Sequence, residues 1–276
     1  DLWPESAVKL GLVKNKMLID MSTALEMRCY RKAALITGQT QGIVSDIQRR
    51  CPDKRVHWMP NGIDLVDVEL ALRTCDRAKE REALGLAEND LALFYAGIIG
   101  HAQGLVTVLH AAERLKAEKH IRFFLIGDGP VRAELEHTAA SLGLTNLRFI
   151  DGVDRASLLR MIAALDAAVV PLRRTDLFKG AIPSKIFEAL ALSKPLLLGV
   201  EGEAHELFIE QAEAGLDFTP EDDEQLAAAA LRYHRDRQLM KTHGENGARY
   251  VRQRFDREAI GDALWKELQV ITAGYV

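Results

Sequence analysis

Disulfide chemistry has little to work with in this sequence. Of 276 residues only three are cysteine, Cys29, Cys51 and Cys75. Their number is odd, their spacing is wide, and no C-x-x-C pair or histidine at zinc-ligand spacing lies beside them. They read as buried or idle thiols in a reducing cytosol. Long apolar runs are missing too. Nothing approaches the roughly 20 residues that span a bilayer, and no secretory signal is visible. Excess charge of one sign is also absent. The formal net charge of −4 neither forces disorder nor supplies a broad cationic surface for nucleic acid. Short basic runs such as Arg49–Arg50 read as solvated helix ends. Finally, there is no initiator Met. The chain opens DLWPESAVKLG, which reads as the middle of a longer protein.

What is present is a regular alternation. The length suits one large domain or two ordinary ones. Residues 7–34 carry Leu18, Met21, Leu25 and Cys29 at helical spacing. ALITGQTQG (34–42) reads as a short strand and turn, IVSDIQRRC as a short helix, and RVHWMPNGIDL (55–65) as a strand closed by Pro60 and Asn61-Gly62, a domain boundary. Apolar runs suited to buried parallel strands then appear at 91–97, 122–129, 147–153, 167–172, 195–200 and 216–220. Helical patterns lie between them at about 105–118, 130–143, 154–165, 184–192 and 203–213, and the chain is helical from Asp222 to near its end. The spacing predicts an α/β fold, a parallel sheet with helices on both faces.

In open parallel sheets, ligands bind outside the carboxyl ends of the strands. Those ends carry the unusual residues here. GIIGHAQG follows the 91–97 strand, with Gly97, Gly100 and Gly104 flanking His101 and Gln103. Glycines there let the backbone approach a phosphate and aim N–H groups at it, or simply relieve crowding after a strand. The spacing matches neither the dinucleotide fingerprint nor the P-loop. GDGP (Gly127, Asp128, Gly129) follows the next strand, with Pro130 placed to start a helix. A tight turn and a ligand contact are both open readings, as they are for Gly152 and Val153 in DGV.

The 167–172 strand leads into PLRRTDLFKGAIPSKIFE. This long connection contains Arg173, Arg174 and Lys179 and ends at a mostly apolar helix introduced by Pro183 and Ser184. Lys185 sits in that helix's first turn, where the dipole disfavours a cation. Glu188 follows one turn on. A diphosphate at the helix start would invert the local field and attract Lys185. Free amides near Ser184 would bind the same oxygens, and a ribose diol would offer donors to Glu188. The competing reading is a Lys185–Glu188 surface ion pair, worth only tenths of a kcal/mol.

PNGID, YAGIIGHAQGL, IGDGP and IPSKIFEALALSKPLLLGVEGEAHEL, in this order, resemble the retaining glycosyltransferases of family 4. The resemblance is closest to bacterial enzymes that transfer N-acetylfucosamine to lipid-linked O-antigen or capsule intermediates, and it covers essentially all 276 residues. DLWPES is similar to a segment of that subgroup's amino-terminal domain. The resemblance implies GT-B architecture, two Rossmann-like domains facing a cleft. The carboxyl-terminal doubly wound sheet would be complete and the amino-terminal domain only partial. Residues 1–62 would be the remnant of the acceptor-side domain and 63–255 the nucleotide-sugar-binding domain. Residues 256–276 would be a terminal helix packing back towards the first domain.

The resemblance also implies roles. Glu188 would bind the donor ribose, and Lys185, with Pro183 and Ser184, would lie against the diphosphate. These two charged residues are the expected catalytic pair. Gly97, Gly100, His101 and Gln103 would form the loop opposite, with Arg173 and Arg174 on the donor side. Gly127, Asp128 and Gly129, with Gly152 and Val153, would border the base. Asp1 would lie towards the acceptor, and Glu203 would be a helix-start carboxylate rather than a sugar contact.

Two departures stand out. Gly180 occupies the place of a second family glutamate, eight residues before Glu188. Ile98 and Gln103 stand where the wider family often has Arg and Lys. Lys185 with Arg173 or Arg174 would then supply the missing positive charge.

The expected reaction moves a glycosyl unit from a nucleoside diphosphate sugar to a lipid-linked or saccharide acceptor, and the subgroup resemblance implies an N-acetylated deoxyamino sugar. UDP is favoured over GDP, and anomeric configuration would be retained. The nucleotide sugar is a substrate, so no cofactor is expected. No Asp-x-Asp motif points to a metal, and no nucleic-acid partner is expected. Such an enzyme would be cytoplasmic, at the inner membrane face, though no amphipathic anchor is visible. The isolated chain is expected to bind donor weakly and turn over little or nothing. Three other readings stand beside this one. They are a nucleotide-sugar 2-epimerase of the same fold, an NAD-dependent oxidoreductase with Asp128 as ribose ligand, and a non-catalytic nucleotide-binding module.

Overall fold

The structure, a computed structural model, describes residues 4, 5, 8 and 13–273. Helix α1 (Lys16–Lys32) is followed by strand β1 (Ile36–Gly38), helix α2 (Gln41–Arg50) and strand β2 (Val56–Trp58). β1 and β2 pair in parallel as a small sheet of their own. Helices α3 (Leu65–Thr74) and α4 (Arg77–Ala83) then lead to a second sheet.

That sheet alternates strands and helices as the apolar runs predict. Its elements are β3 (Leu91–Ala96), α5 (Val106–Arg114), β4 (Ile121–Ile126), α6 (Arg132–Ser141), β5 (Leu147–Ile150), α7 (Arg155–Ala164), β6 (Ala167–Pro171), α8 (Lys185–Ala191), β7 (Leu196–Gly199) and β8 (Gly215–Asp217). Between β7 and β8 the turn Glu203–His205 runs on as a π-helical segment, Glu206–Gln211. Helices α9 (Asp223–Arg235), α10 (Arg237–Arg254) and α11 (Arg257–Ala273) complete the described chain.

The strand order is β5-β4-β3-β6-β7-β8, and every pairing is parallel. All six residues of β3 are buried, as a central strand covered on both faces requires. Ala92, Phe94 and Ala96 join the core on one face, with Phe187, Phe208 and Phe255. Leu91, Leu93 and Tyr95 join the other, with Leu109, Phe123 and Tyr233.

Side-chain caps fix most helix starts. Asn15, Thr40, Asp64, Asp76, Asp154, Asp222 and Asp236 each accept a backbone N–H of the helix that follows. Helices α5, α6 and α8 start without one, and at α8 Ser184 makes no such bond.

The small sheet and the last helix are tied together. Arg55 of the β2 approach pairs with Glu267 of α11 at 2.7 Å, and Ile63 bridges to Asp256. Arg50 departs from the expected solvated helix end. It is largely buried, with 24% of its side chain exposed, and pairs with Glu26 of α1 at 2.7 Å and Asp46 at 2.8 Å. Arg49 is exposed as expected. The cysteines are free thiols: Cys51 buried, Cys75 half-buried and Cys29 exposed. Among the described residues no helix is long and apolar enough to cross a membrane.

Candidate functional site at the strand-order reversal

β3 pairs with β4 on one side and β6 on the other. The chain therefore builds the sheet outwards from β3, then returns beside it and builds the other way. The loops leaving β3 and β6 diverge to opposite faces, and a crevice opens between them. The two loops are joined at its floor, where the Arg173 amide donates to the Ala102 carbonyl at 2.9 Å. A cavity of about 370 Å³ lies there, lined by His101, Ala102, Arg173, Arg174, Thr175 and Phe178. His101 is exposed at its rim and Gln103 is partly buried behind it.

The start of α8 faces the same end of the sheet. Ser184 is exposed, so packed side chains do not plug this helix mouth. The Lys185 side chain turns inward. Its ammonium lies 3.8 Å from the centre of the Tyr95 ring, a cation–π contact at the end of β3. A side-chain carbon at Gly97 would fall 3.3 Å from that nitrogen. No carboxylate lies within ion-pair distance of it among the described residues, so the surface ion pair with Glu188 does not form. Burial lowers the Lys185 pKa to about 7, opposed in part by the charge of Glu188.

Glu188 is partnered from another direction. Arg155, the first residue of α7, donates from one guanidinium nitrogen to Glu188 Oε1 at 2.6 Å, and its Nε donates to Asp67 Oδ2 of α3 at 3.1 Å. Burial works against the Arg155 charge. Asp67 and Glu188 outweigh it, and its pKa stays raised.

The two glycine turns interlock. Gly97 N–H donates to Ile126 O, and Ile99 N–H to Asp128 O, each at 2.9 Å. A side-chain carbon at Gly127 would fall 2.2 Å from Gly97 O, and one at Gly129 2.3 Å from Ile99 O. Glycine is thus required in GDGP by the approach of one loop to another. Asp128 is engaged as well. It pairs with Arg132 at 2.6 Å and accepts the Gly152 N–H at 3.0 Å, tying the β4 turn to the β5 turn beside exposed Val153.

Arg173 and Arg174 are exposed, and their side chains turn to Glu221 and Glu201, each at 3.7 Å. Pro183 is partly buried next to Ser184. Gly180 faces open space, with nothing within 4 Å of where a side chain would begin. Glu203 does begin a helical turn, but its carboxylate serves a different helix. It accepts the Gln41 and Gly42 N–H groups at the start of α2, at 2.7 and 2.9 Å. Asp1 lies outside the described residues. Among those described, no three His, Cys, Asp or Glu side chains gather to hold a metal ion.

With this geometry in hand, the comparisons are specific. The profile described as "Glycosyl transferases group 1" matches residues 76–250, more than half the chain and nearly the whole six-stranded sheet with its helices. The chain belongs to the group 1 glycosyltransferases. It is 27% identical over 245 residues to the alpha-D-kanosaminyltransferase of Streptomyces kanamyceticus, covering 87% of this chain and 61% of that protein. It is 23% identical to the O-antigen chain mannosyltransferase C of Escherichia coli, covering 91% and 65%. The chain thus spans just over three-fifths of the length of these relatives. Among solved structures, Anabaena Alr3699/HepE in complex with UDP and glucose superposes with a TM-score of 0.74 at 20% identity, covering 91% of this chain and 67% of that one. The fold is the α/β GT-B type expected from the sequence.

Sequence reasoning missed the partners of these two charges, Arg155 and Asp67 for Glu188 and Tyr95 for Lys185. A signal for Arg155 was present. Like Lys185, it is a cation in the first turn of a helix, where the dipole opposes it.

Proposed function

We propose that this chain carries the donor side of a retaining, metal-independent glycosyltransferase of cell-surface polysaccharide assembly. In this reading a UDP-sugar lies along the mouth of α8, and the sugar passes to a lipid-linked or saccharide acceptor. Residues 63–255 hold the donor, 1–62 belong to the acceptor side, and 256–276 return to it. The enzyme works in the cytoplasm, where nucleotide sugars are made, against the inner membrane face.

One observation carries this reading. At the strand-order reversal a partly buried lysine lies under an open, uncapped helix start, with no carboxylate at ion-pair distance from its ammonium among the described residues. A diphosphate supplies that anion. Negative charge grows on it as the glycosidic bond breaks, and fixed donors placed there stabilise the transition state more than the ground state. Lys185 and the first amides of α8 face it, and Arg173 and Arg174, loosely held by their glutamates, can turn towards it. His101 lies at the rim of the neighbouring cavity, where the sugar would sit, with Gln103 behind it. Gly152 and Val153 offer the base a surface. Glu188 accepts from the ribose.

The test is titration of the chain with UDP and GDP, followed by transfer assays with nucleotide sugars. UDP binding that weakens at least tenfold in Lys185→Ala supports the reading. Unchanged binding in that variant removes it.

A further inference from the structure

Arg155 has no role in that reading as it stands, yet its placement is unusual. It opens α7 directly after the Val153–Asp154 turn and reaches two other helices at once. One arm holds Glu188 Oε1 at 2.6 Å and the other Asp67 Oδ2 at 3.1 Å. Arg155 is 88 residues from Asp67 and 33 from Glu188 in sequence. Ordinary stability does not account for it. Its side chain is 44% exposed and that of Asp67 45%, and ion pairs this open contribute little. What the pair does accomplish is geometric. A glutamate side chain has three free torsions, and a ligand that needs one of them loses affinity to the cost of ordering it. Glu188 is already ordered, with one oxygen on the guanidinium. No other protein donor reaches its carboxylate among the described residues, and 22% of the side chain is exposed.

We infer that Arg155, steadied by Asp67, is a positioning residue that holds Glu188 in place to read the ribose diol and so sets a preference for ribonucleotide donors over 2′-deoxyribonucleotides. This rests on the donor-site reading above. It also links the loop beside the base to the residue beside the ribose, because Arg155 is two residues beyond Val153.

The experiment compares UDP with 2′-deoxy-UDP, and GDP with 2′-deoxy-GDP, by calorimetric titration of the wild-type chain and of Arg155→Ala, Arg155→Lys and Asp67→Asn. The wild type should favour the ribonucleotide by about tenfold or more. Arg155→Ala should weaken the ribonucleotide by a similar factor and leave the deoxy form nearly unchanged, so the ratio falls towards one. Arg155→Lys should recover part of the ratio and Asp67→Asn lose part of it, with melting temperatures close to wild type in all three. A wild-type ratio kept in Arg155→Ala overturns the inference and leaves the donor site standing. So does tighter ribonucleotide binding by that variant, which would make Arg155 a blocking group instead. A wild type that binds none of the four nucleotides overturns the donor site itself, and the inference with it.

Discussion

The ammonium of Lys185 lies 3.8 Å from the centre of the Tyr95 ring, and the Tyr95 hydroxyl donates to the Ile98 carbonyl at 2.6 Å. The lysine therefore rests on a ring that is itself fastened to the glycine loop. Burial raises the Tyr95 pKa, so the phenol stays protonated and keeps this bond. Ring and loop give the lysine a fixed address but no counter-charge, and its energetics depend on pH in a way that can be measured.

In the unfolded chain the Lys185 amine titrates near 10.5, and in the folded protein at about 7. Below pH 7 both states carry the proton, and the cost of a partly buried cation is present in full. Between pH 7 and 10.5 the folded protein gives up a proton that the unfolded chain keeps, so stability rises with pH across that window. Lys185→Met removes the effect. The variant should be more stable than wild type at pH 6, and its advantage should narrow by more than about 1 kcal/mol by pH 9.5. Urea denaturation at the two pH values measures it.

The same group predicts how donor affinity changes with pH. A diphosphate favours the protonated lysine, so binding above pH 7 takes up a proton. The UDP dissociation constant should rise between pH 7 and 9, by up to about tenfold per unit. In Lys185→Met it should be weaker overall and flat over the same range. A wild-type profile as flat as the variant's would show that Lys185 does not meet the diphosphate.

Gly127 and Gly180 should respond differently to a methyl group. Gly127→Ala drives a carbon to 2.2 Å from Gly97 O at φ +131°. It should cost about 2–3 kcal/mol, with matching loss of UDP binding. Gly180→Ala meets nothing within 4 Å and should stay within about 0.5 kcal/mol of wild type. Thermal and urea unfolding of both variants provide the comparison.

Glu203→Ala removes the acceptor for the Gln41 and Gly42 amides while leaving the Thr40 cap on Ile43 in place. The expected cost is about 1 kcal/mol. Hydrogen exchange should speed up at Gln41 and Gly42 and remain unchanged at the centre of β3. Protection at Gln41 and Gly42 equal to wild type would mean the carboxylate contributes nothing to that helix start.

The central strands of the large sheet were legible because a parallel strand buried on both faces reads as an unbroken apolar run. Strand ends were not, since GDG and DGV continue the run while the backbone has already turned. The sequence reading assigns nothing to residues 66–90, which contain all of α4 and all but the first residue of α3. LVDVELAL alternates polar and apolar residues, which hides a helix that exposes Val66 and Leu70. At the site, Lys185 was legible through its conflict with the helix dipole. Its partner Tyr95 was not, because an aromatic inside an apolar strand carries no sign of which face it presents. Nor could spacing show that Glu188 meets Arg155 rather than Lys185, or that Arg50 ties its own helix to Glu26 of α1.

The bond from the Arg173 amide to the Ala102 carbonyl bridges the loops leaving β3 and β6 with main chain alone. No side chain takes part, so substitutions at His101, Thr175 or Phe178 can reshape the hollow above it without loosening the seam beneath. The shape of the hollow and the stability of the frame that carries it are therefore set by different atoms, and one can change while the sheet and its crossing loops stay as they are.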